Sequence, residues 1–205
     1  MVGSDFIPGF VLNEALRFLS VRANNWPPLP KFCPVQPCFY QDINVDIPVE
    51  FQTVVKYLYY LWLFHVSLLF ANMLTGLLFL FVGGDLGTTF GLALVYAVIF
   101  TPASYVCWFR PGYKAFRDDS SFNFMLFFFV FFFQTLVSAL YALGIGNMGA
   151  SGLIVGLSTI GGKDATGGQI FVGVLMIIVG VCFGLAGLAD FFMLVRVRLD
   201  LCALY

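Results

Sequence analysis

Charge is scarce in this chain, with Asp, Glu, Lys and Arg making up 10% of its 205 residues against about 25% in an ordinary soluble chain. With 60% hydrophobic residues, too few polar side chains exist to cover a soluble fold, so most apolar surface has to face lipid. The ten Lys and Arg are balanced by eleven Asp and Glu, a formal net charge of -1, which excludes a charge-driven nucleic-acid binder. His65 is the single histidine, and among the five cysteines only Cys33 and Cys38 lie close together, at a loose spacing with no second pair. The pair is a weak metal signal without a second pair or a nearby histidine, and no metal or cofactor is expected. One intramembrane His and no carboxylate pair also leave nothing from which a nucleophile, a base and an orienting group could be assembled, so no enzymatic activity is expected.

What the chain has instead is long apolar runs. Four stretches without Lys or Arg are long enough to cross a hydrocarbon core of about 30 Å, which takes about 20 helical residues. The expected spans are residues 57–82, 86–109, 122–146 and 168–193. The fold class is therefore all-α, a polytopic membrane protein with four transmembrane helices. Only Gly83, Gly84 and Asp85 separate the first two spans, which predicts a tight antiparallel hairpin. Tyr57, Tyr59, Tyr60 and Trp62 open the first span, and Tyr105, Trp108 and Phe109 close the second, as an interfacial aromatic belt would. Eight Phe between Phe122 and Phe133 surround the third helix rather than forming one stripe, which predicts lipid around much of its circumference.

Four spans put both termini and the 110–121 loop on one side. That side carries Arg17, Arg22, Lys31, Lys56, Arg110, Lys114, Arg117, Arg196 and Arg198, and the other only Lys163. By the positive-inside rule both termini are expected in the cytosol, and no signal peptide is read in the first 20 residues. In that compartment the cysteines are not expected to form a disulfide framework. Cys107 is placed for palmitoylation, although an unmodified juxtamembrane thiol is the plainer reading.

Residues 1–23 precede a cytosolic segment, 24–56, that holds six of the nine prolines, between Pro27 and Pro48. Proline fixes φ and restricts the residue before it, so this segment should be extended. Its candidate interaction residues are Trp26, Pro27, Pro28, Pro30, Phe39 and Tyr40. The aromatics, with Phe32, are expected against helix ends or headgroups, and a stiff linker is the plainer reading. The four-helix domain spans 57–195, with residues 196–205 as a short tail. Within it, the cytosolic linker 105–121 carries Arg110, Lys114 and Arg117 at i, i+4 and i+7, and Phe109, Tyr113 and Phe116 one position earlier. In a helix these form adjoining basic and aromatic stripes, suited to an anionic leaflet. Candidate lipid-binding residues are Cys107, Trp108, Phe109, Arg110, Pro111, Tyr113, Lys114, Phe116 and Arg117, with Trp108, Phe109 and Tyr113 expected to set insertion depth. Positive-inside anchoring alone would also account for the basic residues. Ser120 or Ser121 should cap the third span.

At these stretches the chain resembles the secretory carrier membrane proteins. The resemblance rests on Asn25-Trp26-Pro27-Pro28-Leu29-Pro30, then Pro37-Cys38-Phe39-Tyr40-Gln41-Asp42, Tyr59-Tyr60-Leu61-Trp62, and Thr101-Pro102 through Cys107-Trp108-Phe109-Arg110-Pro111 and Tyr113-Lys114-Ala115-Phe116. It covers about residues 24–190. The resemblance implies a tetraspan protein of post-Golgi traffic, at the trans-Golgi network, recycling endosomes, secretory vesicles and plasma membrane. Its implied partners are membrane lipids, including phosphoinositides at residues 107–116, and trafficking proteins, with a homo-oligomer as a further expectation. Many family members carry Asn-Pro-Phe repeats ahead of the Trp-Pro-Pro segment. This sequence has no Asn-Pro-Phe, so adaptor binding through that motif is not carried over.

The alternative is a small membrane transporter or channel, for which the intramembrane polar residues are His65, Asn72, Gln134 and Asp190. His65 and Asn72 share a helix face, and interhelical hydrogen bonds are expected to satisfy them. His65 is read as isolated, and Asp190 as lying towards the end of its helix. Gly87-x3-Gly91 and Gly180-x3-Gly184 are read as close helix contacts, within the bundle or between copies. The glycine-rich stretch 144–168 is read as either flexible or a short re-entrant piece.

Overall fold

The computed structural model describes residues 41–84 and 87–202. Trp26, Pro27, Pro28, Pro30, Phe39 and Tyr40 lie outside them. The chain divides into two units at Ile47. In the described part of the first, Asp42 caps a short helix α1 (Ile43–Asp46), its carboxylate accepting from the Asn44 and Val45 amides at 3.1 and 3.3 Å. The second unit contains α2 (Gln52–Phe81), α3 (Thr88–Ser104), a π-helical turn (Tyr105–Phe109), α4 (Arg110–Asp118), α5 (Ser121–Leu143), α6 (Leu153–Ile160) and α7 (Gly167–Cys202). Every described element is helical, and four runs, Gln52–Phe81, Thr88–Asp118, Ser121–Leu143 and Gly167–Asp200, are long and apolar enough to cross a membrane. The chain is an all-α, four-span membrane protein.

Helix α7 is the hub, packing against α2, α5 and α6, while α3 packs on α2. The α2–α3 hairpin closes where Gly76 leaves room for Phe90, whose Cα lies 3.2 Å from where a Cβ would be. Lys56, Lys114, Arg117, Arg196 and Arg198 lie towards one end of the bundle, called here the basic side. Lys163 lies at the opposite end, in the turn between α6 and α7.

Pro102 and Pro111 flank the π turn. Each lacks an N–H, and a proline ring crowds the carbonyl four residues earlier. Between them the helix widens so that the Arg110 amide bonds Tyr105 O, and the chain enters α4 with Pro111 in its first turn. Helix α4 ends at Asp119, which adopts positive φ (46°), and Ser120 caps α5 by accepting from the Asn123 amide.

The glycine-rich stretch after α5 is folded. Helix α5 stops at Leu143, where Ala142 lies beside Gly180 of α7, yet α7 runs on for 13 residues, about 20 Å, from Gly180 to Gly167. Helix α6 fills that length: Gly152 abuts Gly180, Gly156 abuts Gly173 and Ile177, and Ile160 abuts Gly173. The third crossing is thus an interrupted one, made by α5, an irregular stretch at 144–152, and α6. Irregular backbone at such depth needs internal partners. Asn72 supplies them, donating to Gly149 O at 2.8 Å and accepting from the Ser151 amide at 2.6 Å.

Of the two glycine registers, Gly180 is in tight contact: an added Cβ would lie 2.9 Å from Gly152 Cα and 3.0 Å from Ala142 O. A Cβ on Gly184 would make ordinary contact with Ala142, whereas one on Gly91 would meet open space. The seam that matters combines Gly173 and Gly180 of α7 with Gly152 and Gly156. Gly180→Val should therefore lower stability by about 1–3 kcal/mol through overpacking, read as an earlier thermal unfolding in detergent. Gly91→Ala should leave the transition where it is.

Candidate functional site

The linker is a two-faced helix docked on the bundle. On its inner face Pro111, Gly112, Tyr113, Ala115 and Phe116 are buried. Gly112 permits the approach, since a Cβ there would lie 2.8 Å from the Phe127 ring. Phe116 sits between Phe51 and Phe124, at 5.2 Å from each. Trp108 and Phe109 are 1% exposed. Trp108 packs 4.7 Å from Phe131, and Phe109 joins Tyr59, Trp62 and Tyr105 in one ring cluster. The Trp62 indole N–H donates to Ser104 Oγ at 3.0 Å, tying α2 to the end of α3.

This corrects the expectation that Trp108, Phe109 and Tyr113 set insertion depth. All three are buried in protein, because α5 offers a wall of Phe124, Phe127 and Phe131 to the aromatic stripe. What the linker leaves outside is Val106 and Cys107, both exposed, and the basic stripe, with Arg110 and Lys114 half-buried and Arg117 exposed. Arg117 forms a two-pronged pair with Asp118, Nε to Oδ1 at 2.7 Å and Nη2 to Oδ2 at 2.9 Å. Exposed pairs on a protein surface contribute about 0–1 kcal/mol in general.

Beneath the linker lies a buried polar cluster. His65 on α2 bonds Asp190 on α7, Nε2 to Oδ1 at 2.9 Å. Gln134 on α5 approaches His65 Nδ1 at 3.4 Å, and Ser138 Oγ donates to Asp190 Oδ2 at 3.1 Å. A carboxylate can only accept, so the His65 Nε2–H is the donor of the bond to Asp190. The Trp108 ring stands edge-on to His65 at 6.4 Å. His65 is thus not isolated, and Asp190, fully buried, is its partner. Their equal depth was legible: His65 lies 13 residues into α2 from the basic side and Asp190 lies 12 from the end of α7. Asn72, seven residues along the same face, bonds the interrupted crossing.

Ser138, His65 and Asp190 do not form a nucleophilic triad. The serine hydroxyl donates to the carboxylate rather than to the imidazole, so no base faces it. No group of three metal-ligating side chains occurs among the described residues. The cluster's chemistry is cohesion between α2, α5 and α7.

Four apolar helices, a basic amphipathic linker and a central polar clasp define a polytopic helical membrane protein whose distinctive surface is the linker. The sequence profile of the SCAMP family matches residues 23–199, and the chain belongs to that family. It is 44% identical over 180 residues to human secretory carrier-associated membrane protein 2, covering 88% of this chain and 53% of that protein. Secretory carrier-associated membrane protein 4 of Pongo abelii is 53% identical over 143 residues (70% and 61%), and that of Rattus norvegicus 46% over 177 (86% and 74%). The chain spans about half the length of several of the curated relatives it matches. No solved structure matches it.

Removing one partner of a buried side-chain hydrogen bond leaves the other unsatisfied, at a cost of roughly 1–3 kcal/mol or more. Asp190→Leu and His65→Leu should each destabilise the protein strongly in detergent melts, and the double variant should lose less than the two losses added together. Simple additivity would show that the pair is not coupled.

Proposed function

We propose that this chain serves vesicle traffic as a non-catalytic recycling carrier between post-Golgi compartments and the cell surface, with both termini in the cytosol and the linker facing an anionic, phosphoinositide-bearing leaflet. Family membership supports a role at secretory carriers, since the relatives are named secretory carrier-associated membrane proteins. The observation that carries the lipid reading is the division of α4. Its apolar face is buried against α5 and its basic stripe of Arg110, Lys114 and Arg117 lies on the outer side. A helix so docked holds its cations at headgroup level without inserting its own aromatics. Partners on this reading are membrane lipids and trafficking proteins that meet the same surface, and a second copy of the chain is a further candidate.

One observation favours a second reading, a small transporter. An interrupted crossing beside buried polar residues is a feature of transport folds. Reconstituted protein that moves ions or solutes across liposomes would favour it, and tight liposomes would favour the carrier.

Each basic residue near an anionic surface contributes about 1 kcal/mol. Replacing Arg110, Lys114 and Arg117 by Ala in the full-length chain should therefore weaken binding of a fluorescent phosphoinositide by about 10–100-fold and remove its salt dependence. Topology is checked in parallel with tags at the N-terminus and at Lys163, expected on opposite sides of the membrane. Unchanged lipid preference in a correctly oriented triple variant would leave the basic residues as anchors only.

A further inference from the structure

A second lipid-facing feature lies away from the linker. Between the start of α2 and the end of α7 opens a groove of about 830 Å³, lined by Glu50, Tyr57, Tyr60, Phe192 and Arg196, among others. The helices run antiparallel, so its lining is graded. Glu50 and Arg196 lie at the end nearest the basic side, while Leu61 and Ala189 close the apolar end, the run from Arg196 to Ala189 covering about 10 Å. Tyr57, Tyr60 and Phe192 are 61%, 63% and 67% exposed, so these rings are open to an occupant rather than packed in the core. Arg196 gives its Nε to Asp200 at 3.2 Å, and its terminal nitrogens point to no protein acceptor among the described residues.

We propose that this groove binds one phospholipid with a phosphocholine headgroup. The charge pattern selects it. Glu50, Tyr57 and Tyr60 line one side of the groove, and a carboxylate followed by aromatic side chains suits a quaternary ammonium, attracted by the countercharge and by the rings. The guanidinium on the facing helix suits the phosphate. The apolar wall below takes the upper acyl chains. A purely anionic lipid would set its headgroup against Glu50 with nothing for the aromatic faces to hold, so this site and the basic stripe of α4 select different lipids. The inference does not depend on which compartment the basic side faces.

The full-length protein, purified in mild detergent and offered equal amounts of phosphatidylcholine, phosphatidylethanolamine and phosphatidylglycerol, is examined by native mass spectrometry. One phosphatidylcholine should be retained in preference to the other two. Glu50→Gln, and Tyr57→Ala with Tyr60→Ala, should each reduce that preference by about fivefold. Arg196→Ala should reduce retention of all three, and Lys114→Ala should change nothing. The side chains altered at the groove are exposed, so unchanged melting of the lipid-free variants will show that they fold. Equal retention of the three lipids by the unaltered protein, or a phosphatidylcholine preference that survives the Glu50 and tyrosine substitutions, would overturn the proposal.

Discussion

The bundle depends on the bond between His65 and Asp190. Lipid tails are as apolar as Leu or Phe, so in a bilayer no hydrophobic force gathers helices. Close packing and polar contacts must do it. Here a fully buried carboxylate on α7 takes one bond from α2 and one from α5, and an unpaired Asp at that position would be costly enough to prevent assembly. That need fixes the rotation of three helices at once. Asn72 does the same at a second level by satisfying the backbone where the third crossing breaks. The two polar levels, seven residues apart on one face of α2, set both register and rotation.

Small residues complete what the polar groups begin. Where α7 passes α6, glycines on both helices bring the backbones together, and where α4 meets α5, Gly112 admits the Phe127 ring. The aromatic residues fall into two populations for the same reason. Phe124, Phe127 and Phe131 face neighbours and are buried, while Phe122, Phe129, Phe132 and Phe133 of the same helix are exposed to lipid. A helix that is apolar all round carries no stripe to orient it, so its orientation comes from Gln134 and Ser138, the residues that must meet His65 and Asp190.

The four-span architecture was legible because composition alone excludes a soluble fold and run length counts crossings. The linker's two stripes were legible as well, from i, i+4, i+7 spacing. Which stripe faced what was not, because Phe109, Tyr113 and Phe116 fit a headgroup layer and a protein groove equally until α5 is seen to supply that groove. The sequence leaves helix α6 open between a flexible stretch and a short re-entrant piece: the glycines around Leu153–Ile160 fit either when taken singly, and only the matching glycines on α7 turn them into a contact surface. The His65–Asp190 pair was missed by weighing each polar residue on its own helix instead of comparing depths across antiparallel ones.

The linker and the clasp are mechanically one object. Trp108 lies in the π turn that opens the linker, stands against the His65 ring and packs on Phe131, so the axis of α4 is registered to the polar centre of the bundle. Pro102 and Pro111 flank the turn that carries Trp108. A basic stripe borne by a flexible loop would sample many heights above a membrane and lose entropy on every contact. Arg110, Lys114 and Arg117, carried on a helix whose opposite face is locked to α5, are held at one height relative to the crossing helices. The amphipathic pattern that in a free peptide would drive insertion here serves to dock the segment on its own protein. Its cations are left as the part of the linker that can answer to something outside.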